Sequence, residues 1–157
     1  MSVYNSLETA NFGKIAFTPR NHTVPSLPDM NLIIFKNGEN YQAICIDLEL
    51  DSVGDKVENA CRNLRQRLLA YTTQMVQNYN NDVRSAAEDI ISTAYSRSEL
   101  KIQLFNRYAQ AKQQFLLDKL ANKKKARSRR EDFFKAIHRV FQIEPISLNL
   151  TLAAGLA

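Results

Sequence analysis

The sequence predicts an α+β protein in which a small antiparallel sheet is covered by a long helix and followed by an additional helical segment. Residues 31–46 hold two β-rich runs on either side of an Asn-Gly pair, the strongest short-range signal for a hairpin. Residues 57–79 carry apolar side chains at steps of three and four, the period of an amphipathic helix. The length of 157 residues and the hydrophobic content of 45% indicate one compact, ordered domain.

The predicted sheet begins at the hairpin. Residues 1–29 show no sustained period and contain three prolines, which is typical of an irregular N-terminal arm, although residues 12–17 are apolar enough for one short strand. The second hairpin strand, residues 41–46, has apolar side chains on both faces, as in a strand that lies between layers of helix. Residues 47–55 alternate acidic and apolar side chains and predict a short third strand with one wet face.

Four helices are predicted after the sheet. Asp55 is expected to cap the first helix, which spans residues 57–79, and a second apolar stripe covers residues 83–94. Ser96 and Ser128 each precede a glutamate by three residues, and these two capping boxes predict the starts of the third and fourth helices. The sheet and the first helix therefore form one unit, residues 30–80, and a basic helical region follows over residues 81–143.

The clearest strand pattern lies near the end of the chain, in the C-terminal strand and tail of residues 144–157. From residue 145 onward, apolar and polar side chains alternate strictly, so that four large side chains share one face. Such a strand either rejoins the first sheet or pairs with another copy of the chain. Because an exposed apolar edge strand normally finds a partner, we expect a homodimer, formed through this strand or through the projecting helices. The four side chains are Ile146, Leu148, Leu150 and Leu152.

Charge is distributed unevenly along the chain. Residues 97–139 contain 13 basic and four acidic residues, a net charge of +9, whereas the remainder carries a net charge of −4. A field of this polarity attracts polyanions or an acidic protein face. The alternative is a solubilising helix end, where cations complement the helix dipole. Arg107 and Lys112 extend the basic region, and the residues expected to contact DNA, RNA or another polyanion are Lys119, Lys123, Lys124, Lys125, Arg127, Arg129, Arg130, Lys135 and Arg139.

One motif joins the third strand to the first helix. Gly54-Asp55 is followed by Ala60, Asn63 and Leu64 in the spacing G-D-x-x-x-x-A-x-x-N-L. Together with the hairpin, this stretch resembles the HicB-like domain over residues 30–72, about a quarter of the chain. The resemblance implies a sheet of three or four strands under a covering helix, related to a degenerate ribonuclease-H-like core and usually without catalysis. In that family the closing strand follows the first helix closely, so residues 146–152 would here be a delayed fourth strand.

The resemblance also implies a class of function. Antitoxins of this family add a ribbon-helix-helix or helix-turn-helix module that binds operator DNA, and they pair with a small toxin. Residues 80–143 show neither module pattern. The sequence thus predicts a non-enzymatic, nucleic-acid-associated regulatory protein, HicB- or antitoxin-like, with a basic helical surface on a polyanion and a small toxin-like partner. The alternative is a homo-oligomeric structural or protein-interaction module whose basic run binds an acidic protein or a membrane surface.

Catalytic and metal-binding patterns are weak in this sequence. His22 and His138 lack a nearby nucleophile and acid, and the chain has no glycine-rich phosphate loop, so no catalytic residue or cofactor is predicted. Cys45 and Cys61 lack the paired spacing of a zinc or redox site and are expected to be inert core thiols. Five acids have calcium-loop-like spacing, but the required glycine is Ser52, which favours a wet strand face. These acids are Asp47, Glu49, Asp51, Asp55 and Glu58.

The start of the chain and its apolar runs predict a location. The first residues lack the basic start and apolar core of a secretory signal, and the longest apolar runs are far short of the roughly 18 residues that a membrane-spanning helix needs. We therefore expect a cytoplasmic protein with reduced thiols and no transmembrane segment.

Overall fold

The computed structural model describes residues 3–15, 17 and 27–121, and these residues form an antiparallel sheet with helices on both faces. The sheet runs in the order β1 (Glu8–Ile15), β2 (Met30–Asn37), β3 (Asn40–Cys45) and β4 (Leu50–Gly54). A short 3-10 helix (Val3–Ser6) precedes β1, and α1 (Val57–Asn78), α2 (Val83–Tyr95) and α3 (Glu99–Ala121) follow the sheet. The predicted α+β class is confirmed.

The predicted hairpin is the centre of the sheet. Asn37 pairs with Asn40 across a turn in which Gly38 adopts a φ of +63°, a conformation that favours glycine. Both faces of this hairpin are buried, as the apolar pattern predicts. One face packs under α1 and α2 and the other packs under α3 and the 3-10 helix. The first face presents Leu32, Ile34, Ala43 and Cys45, and the second presents Ile33, Phe35, Ile44 and Ile46.

The N-terminal arm contains a strand, so the prediction of an irregular arm is wrong for β1. This strand pairs antiparallel with β2 over its whole length and starts four residues before the short strand that the sequence indicates. The register shifts between Thr9 and Asn11, and this bulge breaks the alternation that would have revealed the strand. Phe12 and Ile15 are buried against the neighbouring strand and its covering helices, and this tertiary burial stabilises β1.

The third predicted strand is shorter than its pattern suggests. Residues 46–49 form a turn with Glu49 at a φ of 54°, and β4 starts only at Leu50. Asp47 faces back toward β2, where its carboxylate accepts a hydrogen bond from the Asn31 backbone N–H at 2.5 Å and two from the Asn31 side chain. The prediction of a continuous acidic strand over residues 47–55 is therefore wrong in its first three residues.

The predicted first helix is confirmed, but its cap differs. Cys61, Leu64 and Leu68 are buried in the interface with the sheet, as their spacing predicts. The N-cap residue is Lys56, whose side chain makes no capping bond. Asp55 instead accepts a hydrogen bond from the Asn59 side chain, and this bond lowers the pKa of the Asp55 carboxyl.

The second and third helices also form where their stripes predict them. Asp82 caps α2 by accepting a hydrogen bond from the Ser85 backbone N–H at 3.2 Å. The predicted cap of the third helix is wrong, because Ser96 ends α2 and Ser98 caps α3. The Ser98 hydroxyl accepts from the Lys101 N–H at 3.1 Å, the third amide of the helix.

Several predictions concern residues outside the described ranges. They are the fourth helix with its cap at Ser128, the delayed strand of residues 146–152, and the surroundings of His22 and His138. Among the described helices, none combines the length and the apolar character needed to cross a membrane.

The two cysteines are buried on the α1 side of the sheet, as expected of core thiols. The Cys45 thiol donates to the Met30 sulfur at 3.7 Å, and burial raises the pKa of Cys45 and of Cys61 to about 12. An unfolded thiol ionises near 8.5. The stabilisation from these neutral thiols is therefore complete below about pH 8.5 and is lost progressively as the pH rises toward 12.

We expect the free energy of unfolding to fall by roughly 1 kcal/mol per thiol at about pH 9.5. Urea titrations at pH 7.5 and 9.5 measure this fall, and Cys61→Ala should make it smaller. An equal fall in the wild-type protein and in the variant would contradict the prediction for Cys61.

Candidate functional site

The predicted polyanion-binding residues meet the described structure at one position. Lys119 lies in the last turn of α3 and is exposed. The other eight predicted contact residues lie between residues 123 and 139, outside the described part of the chain. The site is therefore approached through α3, the helix that leads into them.

Helix α3 crosses one face of the sheet from the β3–β4 turn to β1. It starts at Ser98, whose hydroxyl donates a hydrogen bond to Glu49 in that turn. Leu104 is then fully buried over β2 and β3. Near β1, the rings of Tyr108 and Phe115 both pack edge-on against Phe12, with centroids at 5.3 and 6.0 Å. These two aromatic rings are packing residues and not base-stacking platforms, which agrees with their helical spacing.

Beyond Phe115 the helix continues past the sheet, and its apolar side chains become exposed. Leu116 and Leu117 are about half exposed, at 50% and 52%, and Leu120 is 78% exposed. Lys112 and Lys119 are exposed on the same stretch and form no ion pair with any described residue. The projecting end of α3 thus combines uncovered leucines with unpaired cations.

Two cations of the basic half are internal, which the sequence does not reveal. Lys101 is 4% exposed, and its ammonium donates to the carbonyls of Thr93 and Ser96 at 2.7 and 3.0 Å. It thereby satisfies carbonyls at the end of α2. Arg107 donates to the Leu7 carbonyl at 2.7 Å.

The expectation that Arg107 extends the basic surface is wrong. Its guanidinium lies 6.0 Å from the centre of the Phe35 ring, and its Nε is buried with no hydrogen-bond partner. Both Arg107 and Lys101 hold helices in place, and a polyanion would meet Lys112 and Lys119 instead.

The acidic residues lie at the opposite edge of the sheet. Asp51 on β4 forms an ion pair with Arg67 at 3.2 Å, and Glu58 forms one with Arg62 at 2.9 Å. The two arginines belong to α1, so these acids are partly neutralised within the fold. The projecting end of α3 is separated from them by the width of the sheet, and its field is not cancelled locally.

A cleft of about 390 Å³ lies between the end of α2, the first turns of α3 and Asp47. Its rim carries Tyr95, which is 73% exposed, and Ile102, which is 54% exposed. Arg97 adds one cation to the lining. The polar groups at its base already bond within the fold, as described for Asp47 and Lys101. The cleft is suited to an apolar side chain of a partner protein, and no sequence motif predicted it.

The five acids with calcium-like spacing are dispersed in the structure. Within the described ranges, no group of three or more His, Cys, Asp or Glu side chains is placed to hold a metal ion. Asp47 faces Asn31, Glu49 faces Ser98, and Asp51 faces Arg67.

The described fold defines a class: an α+β protein with a four-stranded antiparallel meander between two helical layers. No family model, no curated protein and no solved structure matches the chain. The class therefore follows from the fold alone, and the resemblance to the HicB-like domain stays a prediction.

Proposed function

We propose that the protein is a non-enzymatic, nucleic-acid-associated regulatory protein, HicB- or antitoxin-like in organisation. The projecting end of α3 and the basic residues that follow it bind DNA or RNA, and the acidic half binds a small toxin-like partner protein. The observation that carries this proposal is the direction of α3. This helix leads the chain into the basic run at the edge of the sheet that lies farthest from the acids of β4 and α1.

The electrostatic argument is quantitative. Six basic residues lie within residues 122–130, and the exposed Lys119 directly precedes them. Each phosphate neutralised by a cation releases counterions, so six contacts to duplex DNA imply a slope of roughly −5 in a plot of log K against log salt. The internal bonds of Lys101 and Arg107 keep both side chains out of this count.

A gel-shift titration tests the proposal with a 30-base-pair duplex and an RNA hairpin as probes, at low and high salt. We expect binding at low salt that weakens steeply as salt rises. Replacing Lys123, Lys124 and Lys125 by Gln should make the salt slope shallower by about three, because three phosphate contacts are lost.

The matched control for this variant removes three exposed cations elsewhere: Lys36→Gln, Lys56→Gln and Arg84→Gln. It changes the net charge equally and should leave the slope almost unchanged. The absence of binding at low salt, or an equal effect of the two triple variants, would contradict the proposal.

A second candidate function is a homo-oligomeric or protein-interaction module with the basic run on an acidic protein or a membrane surface. The exposed Tyr95 and Ile102 beside the α2–α3 cleft favour it, since exposed aromatic and aliphatic side chains beside a cleft are typical of protein interfaces. Light scattering on the same samples distinguishes the two candidates. A mass of two chains without nucleic-acid binding supports the second, and a single-chain mass with salt-dependent binding supports the first.

A further inference from the structure

The two edges of the sheet differ in how their backbone is covered. On β4, the residues that face away from β3 are Asp51 and Val53. Their carbonyl groups accept hydrogen bonds from α1, from Arg67 at 2.7 Å and from Asn63 at 2.8 Å. Side chains of α1 thus occupy the carbonyls that an added strand would need, and the β4 edge is closed.

The β1 edge is open over its regular part. The Phe12 N–H donates to the side chain of Asn11 at 3.0 Å, so it points away from β2. Alternation along the strand places the backbone of Lys14 on the same outer side. Within the described ranges, no strand pairs with this side of β1.

The projecting end of α3 extends beyond this open edge. The helix travels from the β3–β4 turn, over Leu104, to the rings that pack on Phe12 of β1, and it then continues for six more residues. A strand added to β1 would lie beneath these residues. Leu116, Leu117 and Leu120 are the side chains that it would cover.

We propose that residues 146–152 of the same chain add to β1 as a fifth strand, with their apolar face under the leucines of α3. The segment alternates strictly, with Ile146, Leu148, Leu150 and Leu152 on one face and Ser147, Asn149 and Thr151 on the other. A strand at the edge of a sheet with a helix on one face needs this one-sided pattern.

The connection is long enough for pairing within one chain. Between Ala121 and Pro145 lie 23 residues, and each extended residue spans up to about 3.3 Å. Even with a helix of three turns inside it, this connection can return from the end of α3 to β1. A short tether also gives the segment a high effective concentration at its own sheet, which favours its own chain over a second copy. The basic run would then be a loop held at both ends at the β1 edge.

Cysteine cross-linking tests the placement in the full chain. Leu117→Cys is combined in turn with cysteine at positions 147, 148, 149 and 150, and each protein is oxidised. Cys45 and Cys61 stay in place because both are buried with raised thiol pKa values. We expect high yields with Leu148→Cys and Leu150→Cys and low yields with Ser147→Cys and Asn149→Cys, since successive side chains point to opposite faces.

The mass of the cross-linked product decides which chain supplies the strand. A product of single-chain mass on a non-reducing gel supports the proposal. A product of two chains overturns it in favour of strand exchange between copies, and equal yields at all four positions overturn the strand itself.

Amide hydrogen exchange gives a readout that needs no cross-link. The outward amide of Lys14 should be protected in the full chain, and Leu148→Asp should speed its exchange at least about tenfold. Asn149→Asp adds the same charge on the other face and should leave the exchange rate near that of the wild type. Exchange of Lys14 in the wild-type protein at the rate of an unprotected amide would overturn the proposal, whatever the two variants do.

Discussion

Leu64→Ala should lower the free energy of unfolding by about 2 to 5 kcal/mol. Leu64 is fully buried in the face of α1 that packs on the sheet, in the same cluster as Cys45 and Ile34. The substitution removes three carbons and leaves a cavity that the surrounding side chains fill only in part. A domain of this size has about 5 to 15 kcal/mol in total, so the loss should be plain in a urea titration.

Ile102→Ala is the matched control for this prediction. Ile102 is an apolar helical residue of similar size that is 54% exposed, and its truncation should cost well under 1 kcal/mol if the α2–α3 cleft has no partner. Unfolding of Leu64→Ala at the wild-type urea concentration would mean that α1 does not cover the sheet in solution. The HicB-like interpretation would then lose its structural basis.

Gly54→Ala should destabilise the protein by about 3 kcal/mol, the upper part of the range for forced overpacking. A Cβ at this position would lie 2.4 Å from the backbone nitrogen of Ala60 and 2.7 Å from the Asn59 carbonyl carbon. Both contacts are with backbone of the first turn of α1, which cannot move aside as a flexible side chain can. The end of β4 and the start of α1 would have to separate.

Gly38→Ala isolates the steric part of this effect. Gly38 has a positive φ, but a Cβ there would meet nothing within 4 Å, so only the conformational cost of about 1 kcal/mol is expected. Thermal melts of the two variants give the comparison directly. Equal losses in the two variants would show that the close approach of β4 to α1 does not limit stability. The same close approach explains why the motif G-D-x-x-x-x-A begins with glycine and has a small residue at position 60.

Part of the candidate site could be read from the sequence. The uneven charge and the basic run are properties of composition, and they directed attention to the region that begins at α3. Whether a cation is available to a partner depends on the acceptors around it. Lys101 faces the last carbonyls of α2 and Arg107 faces Leu7, which is 100 positions away along the chain. No local pattern contains that information.

The sequence by itself determined the elements whose signals are local. The Asn-Gly turn with its two β-rich runs, and the apolar stripes of α1, α2 and α3, each depend on residues within a few positions of one another, and each formed where it was predicted. Only the tertiary structure decided β1, the cap at Ser98 and the course of α3 past the sheet. The bulged β1 is stabilised by pairing with β2 and by burial of Phe12, and Ser98 lies where Lys101 and Glu49 meet it. These features depend on neighbours that are distant in the chain, because their free energy comes from burial and hydrogen bonds that exist only in the folded state.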